Sequence, residues 1–297
     1  MIPSVPQAQP VQRATDSRVV ASRLSFAISE PSELVFQVVA SRTAGHVDEA
    51  HLDVLVDGGP PESLAEIDGI HGSSMQIVHA GTGVLSVSYW ARISVGIGSS
   101  VGTSHPTGID AAELAMAEYS RQVYLRPSRY CPSDHLVGFA VAQFGVGHDV
   151  RARVRTITQW IRDRVGYVPG SSTVHDSAED TLLRGVGTCR DFAHLGIALC
   201  RATGIPARFA AVYAPGLAPM EFHAVFETYE QGRWCVHDPT GLAPRQSLVR
   251  IATGRDAADT AFGAVISGIA DLELIEVTAI AEPSLPIDDA DEVLELA

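Results

Sequence analysis

The chain has 297 residues, a formal net charge of −14 and a pI near 5.1, a balance that argues against nucleic acid or an anionic membrane surface as partner. A hydrophobic share of 46% is ample for a core, in one large domain or two small ones, and all 21 basic residues are arginine. Cys131, Cys189, Cys200 and Cys235 show neither C-x-x-C nor zinc spacing, so reduced thiols, no metal, no cofactor and a cytoplasmic setting are expected.

Residues 1–17, with Pro3, Pro6 and Pro10 among polar residues, read as a disordered arm without the apolar region of a secretory signal. No run is long and apolar enough to cross a bilayer. Residues 18–95 carry short apolar or alternating runs at Leu34–Val39, His51–Val56, Met75–His79 and Leu85–Ala91, broken by turn signals such as Asp57–Pro60. That spacing predicts an antiparallel, sandwich-like β domain. Its His46, His51, His71 and His79 have no ligand spacing. Residues 96–109, rich in Gly and Ser, read as a linker.

Residues 110–281 change character. Asp110 caps a helix over 111–122, a Pro-bounded loop spans Pro127–Pro132, and Ser133 caps a helix that runs through Phe144. Val150, Val154, Ile157, Ile161 and Val165 mark a further helix by steps of three and four. Its Arg151, Arg153, Arg155, Arg162 and Arg164 read most simply as a solvated surface. Ser177 and Asp180 form a capping box, with Asp in place of Glu or Gln. Strands follow at Ala207–Tyr213, from Phe222 to Tyr229 and from Arg233 to Asp238. A helix over Ala257–Ile266 and a closing strand at Leu272–Val277 complete the segment, and residues 282–297 read as an acidic tail.

The stretch from Gly185 to Leu195 carries the most chemistry. Thr188 is an N-cap by residue type, and Cys189 falls at the first helical position. There the peptide dipoles favour thiolate over thiol, and free N–H groups can hold an oxyanion. Phe192, Ala193, Gly196, Leu199 and Cys200 recur from it as a packed stripe, ended by Gly204 and Pro206. His223 opens one strand and Asp238 closes the next. If Tyr229 pairs with Gly232, His223 lies directly opposite Asp238 on one sheet face. Rival groups fit less well. His194 lies about 140° round the helix from Cys189. Alternation turns His237 to the other sheet face, and Asp191 caps or braces the turn.

Gly187–Leu195, Gly204–Arg208, Phe222–Ala224 and Trp234 ahead of Asp238–Thr240 together resemble the transglutaminase-like superfamily, and within it bacterial members with a papain-like core. The resemblance covers about half the chain, in the right order. It implies an α+β fold: a papain-like transglutaminase core of helices and antiparallel sheet, preceded by the antiparallel β-sandwich-like domain. It also implies Cys189 as nucleophile, His223 as base and Asp238 as the group that orients it. One departure is visible, because Val225 stands where His-Ala is usually followed by Trp. Tyr130 lies where the family often carries a Tyr-containing segment, and packing explains it as well as binding of the acyl oxygen does.

The reaction so implied is thiol-dependent acyl transfer from an amide. No D-x-D-x-D-G calcium loop is visible, which favours hydrolysis of a peptide or protein amide substrate by a cysteine protease or amidase. The alternatives are a protein-glutamine gamma-glutamyltransferase, in which an amine accepts the acyl group, and a non-catalytic binding module. Oligomeric state and substrate identity are not legible.

Overall fold

The computed structural model describes residues 16–95, 118–147, 149–289 and 292–296. Nearly all of the expected arm, the expected linker and the start of the helix expected over 111–122 lie outside the described residues; 118–123 are helical. Among the described residues no helix is long and apolar enough to cross a membrane.

The N-terminal part is one antiparallel sheet. Its strands β1 (Asp16–Phe36), β2 (His46–Val56), β3 (Ser63–Asp68), β4 (Ser74–Ala80) and β5 (Gly83–Val95) run in the order β2-β5-β1-β4-β3. In β1 the period is two: Val20, Leu24, Phe26, Ile28, Leu34 and Phe36 are all buried. They pack with Leu85, Val87 and Tyr89 of β5.

The second part opens with α1 (Val137–Phe144) and α2 (Val150–Arg164), then β6 (Gly166–Tyr167), α3 (Ala178–Arg184), β7 (Val186–Gly187) and α4 (Cys189–Ala202). It continues with β8 (Ala207–Tyr213), β9 (Phe222–Glu230), β10 (Arg233–His237) and β11 (Val249–Gly254). The last four form an antiparallel sheet ordered β10-β9-β8-β11. The architecture is α+β, as the sequence predicts. Helix α4 lies across β9 and β8, with Phe192, Leu195, Ile197 and Leu199 all buried. Each such side chain contributes about 1.5–3 kcal/mol of transfer free energy. Gly196 permits the approach, because a Cβ there would lie 2.5 Å from the Phe226 ring.

A buried charge cluster ties this sheet together. Glu227 of β9 is fully buried, and Arg208 Nε donates to its Oε2 at 2.8 Å. Arg250 of β11 spans both carboxylate oxygens, at 2.8 and 2.9 Å. The Arg208 guanidinium also lies 4.1 Å above the Trp234 ring, so Arg208 and Trp234 are structural partners.

Four expectations are corrected. Residues 257–266 are not helical: a turn around Asp256 leads into β12 (Gly263–Glu282), which absorbs the strand expected at Leu272–Val277. The alanines favoured a helix, but Ala264 and the β-branched Val265 pair with Val35 and Leu34 of β1, and Gly268 takes φ +84° against the Pro31 carbonyl. β12 is therefore the sixth strand of the N-terminal sheet, antiparallel to β1 from Ser17↔Glu282 to Phe36↔Gly263. Ser133 does not cap a helix; it sits in turns, and α1 starts at Val137. The described part of 282–297 is not a loose tail. Val236 N–H donates to the Leu294 carbonyl at 2.8 Å, Arg250 reaches the Leu296 carbonyl, and both leucines are buried. Finally, Arg153 is no surface group: it is buried and donates to the Thr203 carbonyl.

Candidate active site

The start of α4 is held by its own side chains. Thr188 is extended, and the Asp191 carboxylate accepts from Thr188 N at 2.7 Å and from Thr188 Oγ1 at 2.9 Å. Asp191 is fully buried, so it braces the turn rather than acting on a ligand. Gly187 makes room for it, since a Cβ there would lie 2.7 Å from Asp191 Cβ. Cys189 follows as the first residue of the helix, where the leading N–H groups have no intrahelical acceptor. It is half-buried, whereas Cys131, Cys200 and Cys235 are buried. Burial pushes the Cys131 and Cys235 thiols up to about 12 and Cys200 upward as well. Cys189 is thus the accessible thiol.

His223 and Asp238 meet through a register two residues from the expected one. Tyr229 faces Trp234, not Gly232, and His237 faces Phe226. The turn is Gln231–Gly232, with φ of 48° and 87°, the paired positive values that a tight two-residue hairpin requires. A shift of two preserves the sheet face. Continuing the ladder sets Asp238 diagonal to His223, and the carboxylate bridges the offset. His223 Nε2 and Asp238 Oδ2 are 2.8 Å apart, and both side chains are buried.

Asp238 is itself fixed from two directions. Its Oδ1 accepts from Thr240 N at 2.9 Å and Thr240 Oγ1 at 2.7 Å. Its backbone carbonyl accepts from Arg162 Nη2 at 3.1 Å, and Arg162 Nε reaches the Pro239 carbonyl at 3.4 Å. Arg162 thus clamps the turn that carries the carboxylate. The helical period of α2 places it outside the packed stripe, and nothing in the sequence marks it as different from its neighbouring arginines.

The electrostatics follow from this packing. Burial alone would favour a neutral His223 ring. The Asp238 carboxylate outweighs it by charge and hydrogen bond, Cys189 adds to the effect, and the ring is raised to about 10. Burial also works against the Asp238 carboxylate, but His223 and Thr240 outweigh it and its pKa falls below the usual value. Because Asp238 takes Nε2, the nitrogen left for Cys189 is Nδ1. Nδ1 is buried and has no aligned hydrogen bond. The sulfur is near enough to favour the charged ring without a fully formed bond, a looseness common before substrate binds.

The other polar residues have structural occupations. His194 is fully buried, its Nε2 accepts from Ala257 N at 3.1 Å, and burial lowers it to about 3. His237 is 2.8 Å from Thr228 Oγ1 and 3.1 Å from Glu230 Oε1. Tyr130 stacks on His194 and donates to the Val174 carbonyl at 2.8 Å, which accounts for it by packing. Val225 is fully buried, within a cluster that includes Val212, Val236 and Leu294. A cleft of about 560 Å³ runs along α2 and β10; Asp238 lines it, but Cys189 and His223 do not.

A family model described as the transglutaminase-like superfamily matches residues 139–239, which take in Cys189, His223 and Asp238. An uncharacterized protein of Mycobacterium leprae is 31% identical over 172 residues, 53% of this chain. The match spans 61% of that relative's length. Among solved structures, a proposed cysteine protease from Cytophaga hutchinsonii is 33% identical, with a TM-score of 0.77 over 93% of each chain.

Proposed function

The chain belongs to the transglutaminase-like superfamily, and from that premise we propose that it is a thiol-dependent hydrolase of peptide or peptide-like amides. The observation that carries the reading is the buried 2.8 Å contact between His223 and Asp238 beside the thiol that starts α4. Likeness over most of its length to a proposed cysteine protease supports the same class.

The geometry supports the following steps. Cys189 gives its proton to His223 Nδ1, and the thiolate–imidazolium pair is favoured by Asp238 on Nε2. The sulfur attacks the amide carbonyl, and N–H groups at the start of α4 take the developing oxyanion. As the tetrahedral intermediate collapses, Nδ1–H passes its proton to the leaving amine. The neutral imidazole then activates water, which opens the thioester and regenerates Cys189. With an amine in place of water the same site would act as a protein-glutamine gamma-glutamyltransferase. A binding module would have no use for a buried imidazole–carboxylate pair, whose desolvation costs several kcal/mol.

Ammonia release from glutamine-containing peptides, measured for the wild type and Cys189→Ala with and without added primary amine, separates the readings. Hydrolysis predicts Cys189-dependent release that is insensitive to amine. Amine incorporation would instead assign a transamidase. In parallel, stoichiometric alkylation of Cys189 near neutral pH, slowed by His223→Ala, is expected of the enzyme. Alkylation no faster than that of a free thiol would favour the binding module.

A further inference from the structure

Tyr167 occupies a particular place. β6 and β7 form a short parallel pair in which Tyr167 lies alongside Gly187, two residues before Cys189. Gly166 N donates to the Gly185 carbonyl at 2.8 Å and Val168 N to the Gly187 carbonyl at 3.0 Å, so the position is fixed by backbone. The ring packs on Phe192, with centroids 6.0 Å apart. Phe192 follows Cys189 by three residues, on the same face of α4. The phenol is therefore anchored at the mouth of the helix that presents the thiol, and it is half-buried.

Its hydroxyl is unspent. Tyr213 donates to the Val38 carbonyl at 2.6 Å, Tyr130 to the Val174 carbonyl at 2.8 Å, and Tyr89 accepts from Ala40 N at 3.2 Å. Among the described residues the Tyr167 hydroxyl has no such partner. Tyr229 shares that property, but it lies six residues along β9 from His223, about 20 Å away. Burial, and after it the negative charges of Cys189, Glu221 and Asp238, push the Tyr167 phenol up to about 12. It keeps its proton across the neutral range and remains a donor.

We propose that Tyr167 is a catalytic residue whose hydroxyl donates a hydrogen bond to the substrate carbonyl oxygen as that oxygen becomes an oxyanion. This rests on the acyl-transfer reading above. In the step, Cys189 Sγ forms a bond to the carbonyl carbon and the C=O π pair moves onto oxygen. Tyr167 O–H and the helix-start N–H groups then hold that charge. The phenol keeps its proton throughout; the proton the leaving group takes comes from His223.

The test uses the full chain with p-nitrophenyl acetate as acyl donor and iodoacetamide as alkylating agent. Acylation passes through an oxyanion, whereas alkylation of the same sulfur does not. Tyr167→Phe keeps the ring on Phe192, and thermal melting checks the fold. The expected result is Cys189 acylation slowed about 10²-fold or more, the size of one oxyanion donor, with alkylation within about twofold of wild type. Acylation within about threefold of wild type would overturn the assignment. A parallel loss of both rates would also overturn it, by placing the effect on the thiol instead. If Cys189→Ala releases nitrophenol as fast as wild type, the acyl-transfer reading itself fails and the inference falls with it.

Discussion

Gly196 is a point of close approach between α4 and β9, and replacing it tests whether that contact sets the thiol's position. An alanine Cβ would lie 2.5, 2.8 and 2.9 Å from three atoms of the Phe226 ring, where ordinary contact begins at 3.4 Å. Helix and ring must therefore separate by about 1 Å. The ring has little room to yield: Phe226 is fully buried, with the His237 ring 5.2 Å away. Overpacking of this kind costs about 2 kcal/mol, and the better helix propensity of alanine returns about 1 kcal/mol. Urea unfolding should thus show Gly196→Ala less stable by about 1 kcal/mol. Catalysis should suffer more, because Cys189 rides on the same helix two turns away. A 1 Å displacement of a reacting group costs about 10²-fold, to be read as the rate of Cys189 acylation by p-nitrophenyl acetate. Adding Phe226→Leu should recover most of that rate relative to Phe226→Leu alone. A Gly196→Ala protein with wild-type stability and wild-type acylation would refute the reasoning.

Three further outcomes are expected. The raised His223 contributes stability that is complete below its ordinary value of 6.5 and is lost as pH climbs toward 10, while Asp238, lowered from 3.8, contributes stability that is lost as pH falls. Urea midpoints should therefore decline from about pH 7 to about pH 10, and that decline should flatten in His223→Ala; equal slopes would contradict the pairing. Arg162→Ala removes the clamp on the Asp238 turn and should lower kcat/KM about 10-fold through kcat, with partial recovery in Arg162→Lys; an unchanged kcat would show the clamp to be idle. Leu296→Ser should cost about 2–3 kcal/mol by equilibrium unfolding, since Leu296 is buried. No loss there would mean that the C-terminal segment does not dock.

The site was legible to the extent that its signals are local. Thr188, Cys189 and Gly204 announce a capped helix by residue type alone, and α2 by its apolar steps. The faces of His223 and Asp238 were legible for the same reason, since alternation survives a register error of two. The register itself was not, because it depends on Gln231 taking a positive φ that its residue type disfavours. Residues 257–266 were misread because alanine propensity is local, whereas the pairing of β12 with β1 joins residues more than 220 positions apart. Arg162 and Tyr167 were overlooked for a related reason. One acts through backbone carbonyls and the other through a two-residue strand, and neither leaves a periodic trace in the sequence.

The pairing of β12 with β1 has a consequence for biosynthesis. Strand β1 leaves the ribosome more than two hundred residues ahead of its partner. At ordinary elongation speeds that delay is roughly ten to fifty seconds. Throughout it the nascent N-terminal half exposes one unsatisfied strand edge, which is a target for chaperones and a hazard for misassembly. Emergence of β12, rather than of the strands that precede it, is then the event that completes the sheet.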